Sequence, residues 1–427
     1  MTSEWEYAPL GEVCSRITYG FTNPMPTIGG EGAYMVTAKD IKNGRIQYQT
    51  ARKTSWDAYR DRLTDKSRPS KGDLLLTKDG SIGRLALCDR DDICINQSVA
   101  LLQSNGKGDF RYIKYLLESP EYQRKMESDS DGSTIKHIYI TRVDKMIIPL
   151  PPRKEQEGIV SILGTLDDKI ELNRKTNDTL EAMAKALFKS WFVDFDPVRA
   201  KAKGRPTGLP AEISDLFPDS FEDSELGEIP RGWRIDSIYA VASVVYGAPF
   251  SSSLFNGDGS GIPVARIRDL PGELPGVCTT EVHPKGTLIL PGDIVAGMDG
   301  EFRAYLWGGE ECWMNQRVCK FIPNEKSRTC FLRESIRKPL MDVEMSETAT
   351  TVIHLGKGDI DGFRIVVPTQ EILDIFSAAT TPFYEEVVVN KQQTRVLANI
   401  RDALLPKLIS GEIRIPDAER MLEEVGV

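Results

Sequence analysis

A chain of 427 residues is longer than one ordinary hydrophobic core supports and suits roughly two to four compact units. Its 40% hydrophobic and 27% charged residues are those of a soluble globular protein. No stretch approaches the roughly 20 apolar residues of a membrane span, and the start Met1-Thr2-Ser3-Glu4-Trp5 lacks the basic and apolar regions of a secretory signal, so a cytoplasmic address is expected. A net charge of −9 argues against a surface that embraces nucleic acid throughout. Seven cysteines without a Cys-x-x-Cys pair, beside three histidines, argue against a metal site.

The chain repeats itself. Trp5 answers to Trp233 (228 residues on), Tyr19-Gly20 to Tyr246-Gly247 (227), Gly72-Asp73 to Gly292-Asp293 (220) and Asp79-Gly80 to Asp299-Gly300 (220). Asn96-Gln97 answers to Asn315-Gln316 (219), and Thr134, His137 and Pro151 to Thr351, His354 and Pro368 (217). The offset then stays at 217 through Asn173/Asn390, Leu180/Leu397, Ala186/Ala403 and Leu187/Leu404. Drift marks small loop deletions, and a locked offset marks a continuous helix that tolerates none.

In chain order, residues 1–150 form a first β-rich α+β domain with many loops. Within it Leu74-Leu75-Leu76-Thr77 follows a Gly-Asp turn as a buried strand, and Asp79-Gly80 turns the chain back. A basic stretch runs through Arg52, Lys53, Arg60, Arg62, Lys66, Arg68 and Lys71. Residues 151–195 are a helical spacer. No proline interrupts residues 155–192, and Ile159, Leu163, Leu166, Ile170, Asn173, Asn177, Leu180, Ala184, Leu187 and Trp191 step alternately by four and three, a coiled-coil stripe.

Residues 196–230 are read as a linker of opposed charge blocks, Arg199, Lys201, Lys203 and Arg205 before seven acidic residues from Glu212 to Glu228. A solvated linker is the simpler account, a phosphate contact for the basic cluster the sharper one. Residues 231–367 repeat the first domain, with Ile294-Val295-Ala296 as the matching strand. Residues 368–412 repeat the spacer through Phe376, Thr380, Phe383, Val387, Asn390, Thr394, Leu397, Arg401, Leu404 and Leu408. Arg401 is a misfit in that stripe, and Pro382 is expected to kink the helix or delay its start. Residues 413–427 form a tail. The first helix carries the chain from one domain to the other and the second returns it, so the two should pair antiparallel, with Asn173 meeting Asn390 near a pseudo-twofold axis. A buried asparagine at such a place sets register. At about 1.5 Å per residue the first helix spans roughly 57 Å, more than one turn of duplex DNA.

Motifs for catalysis are missing. There is no Asn/Asp-Pro-Pro-Tyr loop for methyl transfer, since Asp196-Pro197-Val198 does not match it, and no Gly-x-x-x-x-Gly-Lys-Ser/Thr phosphate cradle. Pro218-Asp219 is not followed by the Glu-x-Lys of a metal nuclease, and Gly257-Asp258-Gly259-Ser260-Gly261 lacks the spacing of a dinucleotide turn. No catalytic residue and no metal ligand is assigned.

The order domain, helix, domain, helix resembles the specificity (HsdS) subunits of type I restriction-modification enzymes. The resemblance rests on Pro149-Leu-Pro-Pro-Arg-Lys-Glu-Gln-Glu-Gly-Ile-Val before the first helix, and on Ala186-Leu-Phe-Lys-Ser-Trp-Phe-Val-Asp-Phe-Asp-Pro-Val at its end. It continues in Gly227-Glu-Ile-Pro-Arg-Gly-Trp and Leu405-Pro-Lys-Leu-Ile-Ser-Gly-Glu-Ile, and departs at Pro368-Thr-Gln-Glu-Ile, a shortened lead-in to the second helix. It implies two target-recognition domains, each reading half of a bipartite duplex target. It also implies helices that set the gap and dock two modification subunits, with restriction subunits completing the complex. S-adenosylmethionine, ATP and magnesium would then be bound by partners rather than by this chain.

Candidate DNA contacts are Lys39, Lys42, Arg45, Arg60, Lys78 and Arg84 in the first domain and Arg266, Arg268 and Arg303 in the second. Arginine forks onto guanine, and lysine mostly neutralises phosphate. Asn96-Gln97 and Asn315-Gln316 could pair with adenine, but their presence in both halves favours a shared scaffold role. The other reading is a scaffold whose paired domains bind protein; it would ignore DNA and bring no methyltransferase with it on purification.

Overall fold

The computed structural model describes residues 5–132, 136–346 and 353–424. The correspondence of Thr134 with Thr351 and the residues 1–4 lie outside them. Contacts divide the chain into two units, Met1–Lys169 with Leu397–Val427, and Ile170–Val396. Each unit therefore takes part of both long helices as well as one β-rich domain.

In the first unit, a four-stranded antiparallel sheet runs in the order Cys14–Tyr19, Val99–Ser104, Leu74–Thr77, Leu85–Leu87. A three-stranded sheet places Ala33–Val36 between Arg52–Thr54 and a parallel partner, Ile93–Ile95. Glu6–Pro9 pairs with Ile147–Leu150 and so ties the domain's two ends together. All four residues of Leu74–Thr77 are buried, because both faces of this strand are covered; hence its unbroken apolar run rather than alternation. Val36, Ile41, Leu75, Ile93, Val99 and Leu101 make the core between the sheets.

The second unit repeats the plan. Its four-stranded sheet is Ala242–Tyr246, Val318–Pro323, Ile294–Gly297, Tyr305–Leu306. A five-stranded sheet contains the equivalent parallel pair, Ile262–Ala265 with Cys312–Met314. Arg234–Ser237 closes on Arg364–Val367.

One shared close approach explains which residues the two halves keep. A Cβ on Gly20 would lie 1.8 Å from the Ile95 carbonyl oxygen, and one on Gly247 2.0 Å from that of Asn315. The Tyr-Gly segment of each domain crosses the Asn-Gln segment backbone against backbone, bridging Phe21 to Asn96 and Ala248 to Asn315. Any side chain at the glycine would force the crossing apart.

The long helices run Arg153–Phe192 and Gln370–Ile409, 40 residues each. Adding 217 to the bounds of the first gives those of the second, so neither the shortened lead-in nor Pro382 delays the second helix. Within the second unit the pairing is antiparallel. Asn173 Nδ2 donates to Gln393 Oε1 (2.9 Å) and Asn390 O (3.5 Å), Asn177 Nδ2 to Val387 O (3.3 Å), and Asn390 Nδ2 to Asn177 Oδ1 (3.0 Å). Ile170, Asn173, Ala184, Val387 and Asn390 are buried there, while Leu180, Leu187 and Phe383 are half-buried against the domain core. In the first unit Ile159, Leu163, Leu166, Leu397, Leu404 and Leu408 are buried. Arg401 is not a misfit in its surroundings, because Asp167 accepts from its Nη1 (2.8 Å) and from the Tyr115 hydroxyl (2.8 Å).

Two segments differ from the sequence reading. Residues 196–230 are not a solvated linker but fold into helices Asp196–Ala202 and Ala211–Ser214 and a hairpin, Phe221–Ser224 with Gly227–Pro230. Val198, Phe217 and Ile229 enter the second unit's core beside Trp191, Phe192, Trp233, Phe331 and Phe376, and Lys201 Nζ donates to Ser214 O (3.0 Å). The segment read as a tail is not plain over its described part, since helix Ile415–Glu424 buries Ala418 and Leu422. Its first residue and the one before it meet the long helix, Ile415 against Gly158 and Arg414 Nη1 on Glu155 Oε1 (2.9 Å).

Candidate nucleic-acid interface

Each domain builds the same loop frame at the end of its central strand. After Leu74–Thr77, Lys78 N donates to Ser98 O (2.9 Å), Ile138 N donates to Lys78 O (2.9 Å), and Gly80 turns the chain at φ 75°. After Ile294–Gly297, Met298 N donates to Arg317 O (2.9 Å), Leu355 N donates to Met298 O (2.8 Å), and Gly300 turns at φ 81°. Both frames are braced by an aspartate and a histidine, Asp79 with His137 Nδ1 and Asp299 Oδ1 2.7 Å from His354 Nδ1. A second turn beside each frame is closed by an aspartate accepting from the backbone, Asp40 Oδ2 from Thr37 N (2.9 Å) and Asp269 Oδ2 from Arg266 N (3.0 Å).

On this frame the first domain sets out most of its candidate cations along one rim. Lys42 and Arg45 are cross-strand partners in the hairpin 41–46, whose tip is the left-handed pair Asn43 and Gly44. Arg84 Nη1 donates to Ile41 O (3.4 Å), which holds it against the same hairpin. Lys39 is exposed on the adjoining turn, where Ala38 N donates to Ser98 Oγ (3.0 Å). Lys78 belongs to the frame, not the rim: its side chain is 8% exposed, ion-paired to Asp79 (3.0 Å) and 5.1 Å from the Tyr19 ring centroid. Arg60 stands on the separate helix Trp56–Arg62 in an exposed pair with Asp57 (2.5 Å). In the basic stretch, Lys53 lies over the Tyr34 ring (4.6 Å) and Arg68 over that of Tyr59 (5.6 Å).

The second domain forms a cleft lined by Arg266, Ile267, Arg268, Asp299, Gly300, Asn315 and Arg317. Three cations against one lining carboxylate make it locally cationic in a chain of net −9, the concentration of charge that draws polyanions. Arg266 is oriented by Asp269 (3.0 Å) and Arg317 by Asp299 (3.5 Å), while Arg268 is exposed at the mouth. Arg303 lies outside this lining. Glu344 accepts from it (2.5 Å), and that bond, the larger cause, holds the Glu344 carboxyl below the usual carboxylate range. Arg317 and the two Asp–His braces were not singled out from the sequence. The duplicated Asp-Gly and His positions were their signal, as was the single cation that follows the second Asn-Gln pair where the first has Ser98.

Among the described residues no group of three His, Cys, Asp or Glu side chains is placed to hold a metal ion, and no helix is long and apolar enough to cross a membrane.

Residues 2–182 match the family described as Type I restriction modification DNA specificity domain. The chain is 25% identical to the type I restriction enzyme HindI specificity subunit of Haemophilus influenzae, over 96% of this chain and all of that one. It is 28% identical to the MjaIX specificity subunit of Methanocaldococcus jannaschii, over 81% of this chain and 79% of the relative. The fold is similar to the crystal structure of a type I restriction-modification system S subunit from M. genitalium. That similarity has a TM-score of 0.54 at 17% identity and covers 95% and 96% of the two chains.

Proposed function

We propose, from its likeness to type I restriction-modification specificity subunits, that the chain recognises a bipartite duplex DNA target for a complex whose catalysis resides in other subunits. The observation that carries the reading is a duplicated frame with different cationic rims, Lys39, Lys42, Arg45 and Arg84 in one domain and Arg266, Arg268 and Arg317 in the other. A common scaffold bearing different groups suits two different half-sites.

The helices are the proposed platform for two modification subunits and the ruler of the gap. Leu172, Met183, Val389 and Val396 are exposed, and each stands one residue before a stripe position, so the repeat places them on a common side of the helix pair. Such apolar side chains suit a partner helix better than water. S-adenosylmethionine, ATP and magnesium belong to the partners in this scheme, and restriction subunits join through the modification subunits.

The test is co-expression with the modification subunits, followed by selection from random duplexes and mapping of methylated positions. The expected result is a split, asymmetric sequence with a fixed gap, no methylation or cleavage by the chain alone, and loss of assembly in Leu166→Asp. Matched seven-residue insertions after Thr176 and Gln393, two helical turns each, should lengthen the gap and leave both half-site sequences unchanged. A chain that selects no sequence would overturn the reading.

A further inference from the structure

The duplicated Asn-Gln pair suggested one scaffold role for both asparagines, but their side chains are used differently. In the first domain Asn96 Oδ1 accepts from Ser98 Oγ (2.6 Å) and Ser98 N (3.2 Å), and Ser98 Oγ in turn accepts from Ala38 N (3.0 Å). Asn96 is thus a brace between two loops. In the second domain Arg317 stands where Ser98 does, and that brace is not made. Among the described residues the Asn315 side-chain amide has no hydrogen-bond partner. It is nevertheless only 8% exposed and lines the cationic cleft. Its amide therefore meets only solvent in the cleft, where a ligand that donates and accepts can take both of its hydrogen-bonding groups.

Resting on the DNA-reading function, we propose that Asn315 is a specificity-determining residue that reads an adenine edge in the second domain's half-site, while Asn96 is structural. The chemistry of the cleft selects a base edge over a phosphate. Asn315 offers both a donor and an acceptor, while the carboxylate of Asp299 beside it is held by His354 and Arg317. Phosphate oxygens have no hydrogen to give the Asn315 acceptor, whereas adenine accepts at N7 and donates from N6. Gly300 leaves the lip open, since a Cβ there would meet nothing within 4 Å. The exposed Arg268 at the mouth serves the backbone.

The experiment is selection from random duplexes by the full-length chain with its modification subunits, comparing wild type, Asn315→Ala, Asn315→Asp and Asn96→Ala. Wild type should select adenine at one position of one half-site. Asn315→Ala should relax that position roughly tenfold and leave the other half-site untouched. Asn315→Asp, which accepts but cannot donate, should move the preference there toward cytosine, whose N4 donates. Asn96→Ala should melt at lower temperature with both half-sites unchanged. An unchanged consensus in both folded Asn315 variants, or a uniform weakening across all sequences, would overturn the inference with the DNA-reading function intact. A wild-type chain that selects no sequence would remove that function and this inference with it.

Discussion

Where the first domain carries Lys78, Ser98 and Asn96 as a closed set of contacts, the second turns Met298 into its core and leaves Arg317 and Asn315 on the lining of an open cleft. The backbone hydrogen bonds beneath are the same, Lys78 to Ser98 and Met298 to Arg317, both 2.9 Å. Duplication has preserved what the backbone requires, namely the glycine crossings, the Asp-Gly turns and the Asp–His braces. The side chains above that frame have diverged. The lesson is that recurrence in both halves identifies scaffold at the level of backbone, not of side chain, and Asn315 is the residue at which the two levels part.

The largest expected effect comes from exchange. Replacing residues 1–150 with the first domain of another family member should change one half of the methylated sequence completely and leave the other as it was. Mapping methylated positions reads this directly, and a change in both halves would break the equivalence of the two domains.

Next in size, Gly20→Ala and Gly247→Ala should each destabilise their own domain by about 3 kcal/mol or more, because the added Cβ meets a carbonyl oxygen that cannot move without breaking the crossing. The urea midpoint of the affected transition should fall alike in both; a tolerated substitution in one domain would show that the crossings are not equivalent.

A smaller asymmetry lies in matching prolines. Pro120 opens helix Pro120–Ser128, a position where no donor is needed, whereas Pro339, 219 residues on, lies inside helix Thr329–Ser346. Pro339→Ala should stabilise the second domain by about 1–3 kcal/mol in thermal melting, and Pro120→Ala should change the first by about 0.5 kcal/mol or less.

The smallest effect concerns thiols. Burial pushes Cys88 and Cys94 in the first domain, and Cys312, Cys319 and Cys330 in the second, up to about 12. At pH 8 these five should resist iodoacetamide in the folded chain and react in denaturant, as mass spectrometry of the peptides would show. Rapid labelling in one domain only would mark it as the looser of the two.

Much of the architecture was legible beforehand because its signals are one-dimensional. A constant offset of 217 located both helices, and the stripe through Leu166, Asn173, Val387 and Asn390 identified their shared face. Arg401 was misjudged for a reason of the same kind. A stripe counts apolar positions along one helix, whereas Asp167 and Tyr115, which accommodate the charge, arrive from other segments. Residues 196–230 read as solvated because seven acids dominate their composition. Their burial depends on three well-spaced residues, Val198, Phe217 and Ile229, and the core they enter is supplied from elsewhere. Lys78 was placed among surface cations because sequence does not tell a solvated lysine from one folded under Tyr19 onto Asp79.

By itself, then, the sequence determined the duplication, the α+β class, the two helices with their antiparallel asparagine pairing, and the absence of recognisable catalytic motifs. All of these follow from period, offset and residue type, which are properties of neighbours along the chain. Only the tertiary structure decided which cations share a rim, which asparagine is consumed by a loop and which is left to a cleft, and how Asp299 and His354 close a frame across 55 residues of sequence. Those outcomes depend on hydrogen bonds between distant segments, where replacing Ser98 by Arg317 redirects a partner without altering any local pattern.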